Sequence, residues 1–166
     1  MEYKVELADL HSRRDRVAFQ QLLTEYAADP AINGPGLTRT VVDRVATDLP
    51  KQSNSIVFLV SDRLGNAVGM ATCFQTYSTF AAAPVINIHD VMVTSPRRGR
   101  GIGQQLIRHI LTAAADDGCA KVTLEVYRNN HAALSLYQSM GFQVPDAGRD
   151  LGETLFLSCR LTTSSS

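Results

Sequence analysis

The sequence predicts an α/β (α+β) fold: a mixed, mostly antiparallel sheet of seven strands with helices on both faces. Three observations predict it. Strand-like runs follow one another at Ile56–Ser61, Ala67–Phe74 and Val85–Val93, which implies an antiparallel meander. A strong amphipathic helix from Gly101 then leads into the alternating Val122, Leu124 and Val126, the β-α-β pattern of a parallel pair. The chain has 166 residues, 45% apolar and 19% charged, which suits one domain with a single core.

The elements follow in order. Tyr3–Leu7 alternates weakly as a first strand. Phe19, Leu22, Leu23 and Tyr26 recur at helical spacing. Asp29-Pro30 stops that helix, and Asn33-Gly34-Pro35-Gly36 forms a loop. Thr38 caps a second helix whose buried stripe is Val42, Val45, Ala46 and Leu49, and Pro50 ends it. Leu64-Gly65-Asn66 turns the first hairpin, and Ser78–Pro84 is a loop before the third strand of the meander. In the helix from Gly101, Ile102, Leu106, Ile110 and Ala113 line one stripe, with Ile107, Leu111 and Ala114 beside it. Asp117-Gly118 ends it, glycine being a natural residue just past a helix. Asn130 opens a fourth helix with Ala133, Leu136, Tyr137 and Met140 on one face, and Gly141 closes it. Leu155–Leu161 is the last strand. A single domain over 1–161 and a flexible tail at 162–166 are expected.

Composition excludes several classes of function. Lys+Arg and Asp+Glu are equal at 16 each, so the basic surplus that broad nucleic-acid binding needs is absent. No apolar run approaches the ~18 residues of a membrane helix. MEYKVELADL lacks the basic and apolar regions of a secretory signal. Cys73, Cys119 and Cys159 are widely spaced, without a zinc pattern, and read as free thiols in a reducing cytoplasm. No metal site is expected.

The run Arg98-Gly99-Arg100-Gly101-Ile102-Gly103 lies between a strand and a helix. Glycines let the backbone turn sharply and present several N–H groups to a ligand. The helix adds unpaired N–H groups and its positive dipole end, which together suit a diphosphate. Arg97, Arg98 and Arg100 supply charge nearby. The run is no P-loop, because Gln104-Gln105 stands where Lys-Ser/Thr belongs. Nor is it G-x-G-x-x-G, and Glu125, about 20 residues on, falls in mid-strand. Glycine spacing alone leaves a dinucleotide site and a bare basic loop as alternatives.

The run matches Gln/Arg-x-x-Gly-x-Gly/Ala, and in that respect the chain resembles the GNAT superfamily of N-acetyltransferases. The resemblance covers roughly Val57–Phe142. It includes Val91-Met92-Val93 before the run, and Leu124-Glu125-Val126, Asn130, Ala132, Leu136-Tyr137 and Gly141-Phe142 after it. It implies a GNAT-type sheet with a splayed parallel pair and acetyl-CoA as acetyl donor. Arg98 to Gly103 would hold the pyrophosphate through backbone amides. Val91, Met92 and Val93 would lie along the pantetheine arm, with the Val91 N–H polarising the thioester carbonyl. Asn130 would bond the arm, and Tyr137 would protonate the leaving thiolate.

An amine acceptor is mostly protonated at neutral pH, so a base must free its lone pair. Alternation puts Asn87, His89, Val91 and Val93 on one face of their strand and Ile88, Asp90 and Met92 on the other. His89 is the candidate base, because imidazole titrates near neutrality. Asp90 is a substrate-orienting group, and Glu125 a second candidate base. Tyr77-Ser78-Thr79-Phe80 with His89-Asp90 is similar to the diamine and thialysine N-acetyltransferase subgroup, which carries Glu-Asp where this chain has His89-Asp90. Tyr77, Phe80, Asn87, His89 and Asp90 are accordingly expected to bind the acceptor, which enters by Asp29–Leu37 and Tyr77–Pro84. No cysteine stands at a cofactor-facing position, so direct attack in a ternary complex is expected. A small primary amine is the expected partner. A protein or peptide acetyltransferase and a non-catalytic acyl-CoA-binding module are the rival readings. A homodimer is a family expectation.

Overall fold

A computed structural model describes residues 3–30, 35–144, 150–151 and 154–161. The elements are β1 (Lys4–Leu7), α1 (Arg13–Ala27), α2 (Arg39–Asp48), β2 (Ser55–Ser61), β3 (Ala67–Ser78), β4 (Ala83–Val93), α3 (Ile102–Asp116), β5 (Lys121–Tyr127), α4 (His131–Ser139), β6 (Asp150–Leu151) and β7 (Thr154–Arg160). This is the expected order. The strands pair in the order β1-β2-β3-β4-β5-β7-β6. β1 with β2, β5 with β7 and β6 with β7 are antiparallel, and β4 with β5 is parallel. The expected loop at Asn33-Gly34 and the tail at 162–166 lie outside the described residues.

The chain groups into two compact units, Met1–Thr72 with Asp90–Leu106 and Cys73–His89 with Ile107–Ser166. In the first unit, α1 starts where the Ser12 hydroxyl accepts the Asp15 N–H at 3.2 Å, and it buries Phe19, Leu22, Leu23 and Ala27. Ala27, rather than the half-buried Tyr26, completes the stripe. Thr38 caps α2 as expected, accepting from Val41 at 3.4 Å. Pro50 sits in a single 3-10 turn, Leu49–Lys51, which ends that helix. Gln20 Nε2 ties α1 to Asp43 of α2 at 2.7 Å.

The β2–β3 turn is organised by Asp62. One carboxylate oxygen accepts the N–H groups of Leu64 and Asn66, each at 3.0 Å. Asn66 Nδ2 and Arg97 add further bonds. Burial pushes the Asp62 carboxyl up, but the bonds from Asn66 and Leu64 and the Arg97 charge outweigh it and leave the group below its ordinary value.

In the second unit, β5 pairs with β7 along its whole length, Lys121↔Arg160 to Tyr127↔Thr154. The β4–β5 register runs from Val85↔Lys121 to Ile88↔Leu124 and goes no further. β4 carries on to Val93 and β5 to Tyr127. The connection expected at Ser78–Pro84 is shorter, because Ser78 stays in β3 and Ala83 already belongs to β4. Helix α3 begins in the first unit and ends in the second, burying Ile102, Leu106, Ile107, Ile110 and Ala114. Each buried Ile or Leu contributes roughly 1.5–3 kcal/mol relative to exposure. Ala113, expected in the stripe, is half-buried.

Candidate active site

The phosphate-binding candidate is built in the first unit. After β4, the Thr94 N–H donates to the Val68 carbonyl at 2.9 Å, and one 3-10 turn, Ser95–Arg97, follows. Gly99 and Gly101 then adopt φ of +72° and +78°. Left-handed backbone costs other L-residues roughly 1–2 kcal/mol. A Cβ added at either glycine would meet nothing within 4 Å, so the loop presents an open face. The first ladder bond of α3 runs from the Gln105 N–H to the Gly101 carbonyl at 3.0 Å. The N–H groups of Ile102, Gly103 and Gln104 therefore stand ahead of the ladder, at the positive end of the helix. Open glycines and forward amides fit a diphosphate. The Ile102 side chain, 1% exposed, seats the helix start in the core.

The arginines depart from the expectation that all three lend charge to phosphate. Arg97 pairs with Asp62 at 3.1 Å. Arg98 pairs with Asp29, and its Nε donates to the Val93 carbonyl at 3.0 Å. Two of the three cations are thus neutralised by carboxylates, and Arg100 is exposed. Glu25, Asp29 and Asp62 were not legible as parts of this loop, since their partners lie 35 to 70 residues away in sequence. On the same unit's part of β4, Met92 is buried, while Asp90, Val91 and Val93 are half-buried.

The second unit holds the candidate base residues. Asn87 Nδ2 donates to Thr123 Oγ1 at 2.9 Å across the Asn87↔Thr123 pair, which ties this side chain into the sheet. His89 is exposed, and its ring meets Phe74 edge-on at 4.8 Å and 74°. In the sequence Phe74 reads only as the end of a strand, with no sign of this contact. Glu125 is exposed on β5, opposite Phe156 of β7. His89 and Glu125 are each the first residue of their strand beyond the last β4–β5 pair. Tyr77 and Phe80 project at the β3–β4 hairpin, 62% and 104% exposed. By alternation Tyr77 lies on the opposite face of β3 from Phe74, and so from the His89 ring.

Asn130 caps α4, its Oδ1 accepting the Ala133 N–H at 3.2 Å, so a bond from Asn130 to a ligand falls to its amide NH₂. Tyr137 is 8% exposed and its ring lies 5.8 Å from Phe142. Burial pushes its phenol up to about 12, which keeps the hydroxyl protonated at every physiological pH. The remaining histidines, His11, His109 and His131, are exposed. None of the three cysteines is in a disulfide. Burial pushes the thiols of Cys119 and Cys159 up, away from the nucleophilic thiolate. Among the described residues no group of three His, Cys, Asp or Glu side chains is placed to hold a metal ion.

Over residues 19–142 the chain matches the Acetyltransferase (GNAT) family, a stretch containing every candidate catalytic and cofactor residue. The chain belongs to that family. Thialysine N-epsilon-acetyltransferase of Bos taurus is 33% identical over 76 residues, 46% of this chain and 44% of that protein. N-acetyltransferase family 8 member 2 of Rattus norvegicus is 33% identical over 86 residues, 52% of this chain and 38% of that protein. N-alpha-acetyltransferase MAK3 of Arabidopsis thaliana is 35% identical over 83 residues, 47% and 40% of the two chains. The chain thus spans less than half the length of these relatives. The fold likeness is wider. A probable acetyltransferase superposes with a TM-score of 0.77 at 16% identity, covering 98% of this chain and 99% of that one. A chain of the NatC complex bound to Gag peptide and CoA does so at 0.73 and 21% identity, covering 98% and 100%. No helix among the described residues is long and apolar enough to cross a membrane.

Proposed function

We propose that this chain is an acetyl-CoA-dependent N-acetyltransferase that acts on a primary amine of a small molecule by direct attack in a ternary complex. The left-handed Gly99 and Gly101 opening onto the first turn of α3 carry the reading, within a family match over 19–142. Acetyl-CoA supplies an acetyl group activated by a thiol leaving group. The amides of Gly99 to Gly103 hold the diphosphate; the Arg98 N–H, expected to join them, is instead donated to the Ser95 carbonyl at 3.3 Å. Beyond its last pair with β5, β4 offers the backbone of Val91 and Val93 to the pantetheine arm, and Asn130 adds its amide NH₂. The Val91 N–H donates to the thioester carbonyl oxygen.

Tyr137 serves the departing sulfur. Its phenol at about 12 lies well above the ~8.5 of a free thiol, so full proton transfer to a solvated thiolate is uphill by roughly 5 kcal/mol. The hydroxyl therefore stabilises the sulfur first as a charge-assisted hydrogen bond. The Tyr137 proton would follow where the sulfur leaves in the same apolar surroundings, which raise a thiol as they raise the phenol. His89, steadied edge-on by Phe74, takes the proton of the attacking amine, and Asp90 orients the acceptor. A cysteine nucleophile has no part in this reading, in which burial raises the thiols of Cys119 and Cys159.

Thiol release from acetyl-CoA, measured against a panel of amines and beside acetyl-CoA calorimetry, tests the proposal. No turnover with any amine and no binding of acetyl-CoA overturn it. A peptide N-terminal acetyltransferase is the second reading. Exposed Glu125, just past the last β4–β5 pair, supports it as an alternative base, as does the likeness to MAK3. Peptides outperforming small amines in the same panel establish that reading instead. A cytoplasmic location accords with three free thiols. A homodimer is the assembly that family kinship favours, and sedimentation measures it.

A further inference from the structure

The segment leading into the phosphate glycines is fastened by three carboxylates of the first unit. The Ser95 N–H donates to Glu25 Oε1 at 3.1 Å. Arg97 donates to Asp62 at 3.1 Å. Arg98 pairs with Asp29 while its Nε holds the Val93 carbonyl at 3.0 Å, so one guanidinium bridges the end of β4 and the end of α1. The side chain of Asp29 is 15% exposed and that of Arg98 49%, so solvent screens the pair only in part.

The placement of the acids is itself informative. Glu25 and Asp29 stand at the C-terminal end of α1, whose last turn carries no basic residue. That end already bears the partial negative charge of unpaired carbonyls, so carboxylates there are unfavourable to α1 taken alone. The compensating cation, Arg98, lies 69 residues away in sequence. A local rule broken with a distant compensation is characteristic of residues that serve a site rather than their own helix.

We infer that Asp29, supported by Glu25, is a positioning residue for the cofactor-phosphate loop. It does not touch the cofactor. It fixes the Arg98 guanidinium against the end of β4, which sets where Gly99 and Gly101 begin, and it keeps that cation from folding across the open glycine face. The inference rests on the assignment of Arg98–Gly103 to the diphosphate of acetyl-CoA.

The test uses acetyl-CoA calorimetry, thermal melts and steady-state kinetics on the full chain and on Asp29→Asn, Asp29→Glu, Arg98→Gln and Asp29→Asn with Arg98→Gln. Asp29→Asn is expected to weaken the Kd for acetyl-CoA about fivefold, the value of a part-screened charge-assisted pair. It raises the KM for acetyl-CoA more than it lowers kcat. Its Tm stays within about 2 °C, since relief of charge at the end of α1 offsets the lost pair. Asp29→Glu keeps the charge and recovers affinity to within about twofold of wild type. The double variant loses less affinity than the sum of the Asp29→Asn and Arg98→Gln losses, because Asp29 acts through Arg98; strictly additive losses overturn the inference. Wild-type binding with unchanged affinity in Asp29→Asn overturns the inference alone. So does a fall in Tm and active fraction without a change in Kd. If wild type itself fails to bind acetyl-CoA, the cofactor assignment falls and the inference with it.

Discussion

Replacing Tyr137 with Phe removes one oxygen and leaves the packing in place. The ring stays in a site that is 8% exposed, 5.8 Å from Phe142. A well-matched general acid contributes about 10²–10⁴ in rate. With its phenol pushed up to about 12, Tyr137 is poorly matched to neutral pH, so the lower end applies and kcat is expected to fall about 100-fold. The acetyl-CoA Kd stays within about twofold, because a contact used only as the sulfur departs adds little to ground-state binding. Stability gives a second reading. The folded pKa lies above the ordinary 10.0, so the folded state holds this proton more tightly than the unfolded chain does. The contribution is fully present below pH 10 and is lost as pH rises to about 12. A shift from 10.0 to about 12 makes it roughly 3 kcal/mol. Urea unfolding at pH 8 and pH 11 should show this alkaline loss in wild type and a smaller one in Tyr137→Phe. A variant with kcat within about threefold of wild type, or with the same alkaline loss, refutes the assignment.

Gly101→Glu places a side chain at φ +78° and a negative charge on the anion-facing loop, so calorimetry should show acetyl-CoA affinity falling more than about tenfold. Unchanged affinity removes the diphosphate from this loop. His89→Ala should lower kcat/KM for the amine about 100-fold with acetyl-CoA binding intact, and added imidazole should restore part of the rate. If His89→Ala is silent and Glu125→Gln takes the loss, the base is Glu125. Thr72 is 5% exposed and its buried Oγ1 has no hydrogen-bond partner among the described residues, so Thr72→Val should raise stability by about 1 kcal/mol in a denaturant titration. A lower midpoint contradicts that placement.

What was legible in the sequence depends on range. The glycine loop was readable because its requirements are local: two left-handed positions, then a helix start within the next residue. The caps at Thr38 and Asn130 were readable for the same reason, since each side chain bonds an N–H three residues on. The last β4–β5 pair, Ile88↔Leu124, was not, because register is set by pairing across 36 residues and not by either strand's own pattern. The same separation hid Thr123 as the partner of Asn87. The contact of Phe74 with His89 has no sequence signal, because an aromatic residue in a strand signals core packing by default, and only the fold shows its ring against His89. The arginines misled through their charge: a sequence displays three cations near the glycines but not the carboxylates of Asp29 and Asp62 that claim two of them.

The Asp62 turn bears on how this protein can be engineered. Hairpin tips are ordinarily where tags, inserted domains and new termini are tolerated. The tip at Leu64 looks ideal on exposure alone, at 86%. Its neighbour Asp62, however, gathers Leu64, Asn66 and Arg97 onto one carboxylate, so a graft there would loosen the approach to the glycine loop from a distance. The β3–β4 tip around Phe80 is exposed too, but it belongs to the expected acceptor entrance, so neither hairpin tip is a neutral splice point for fusions or circular permutation.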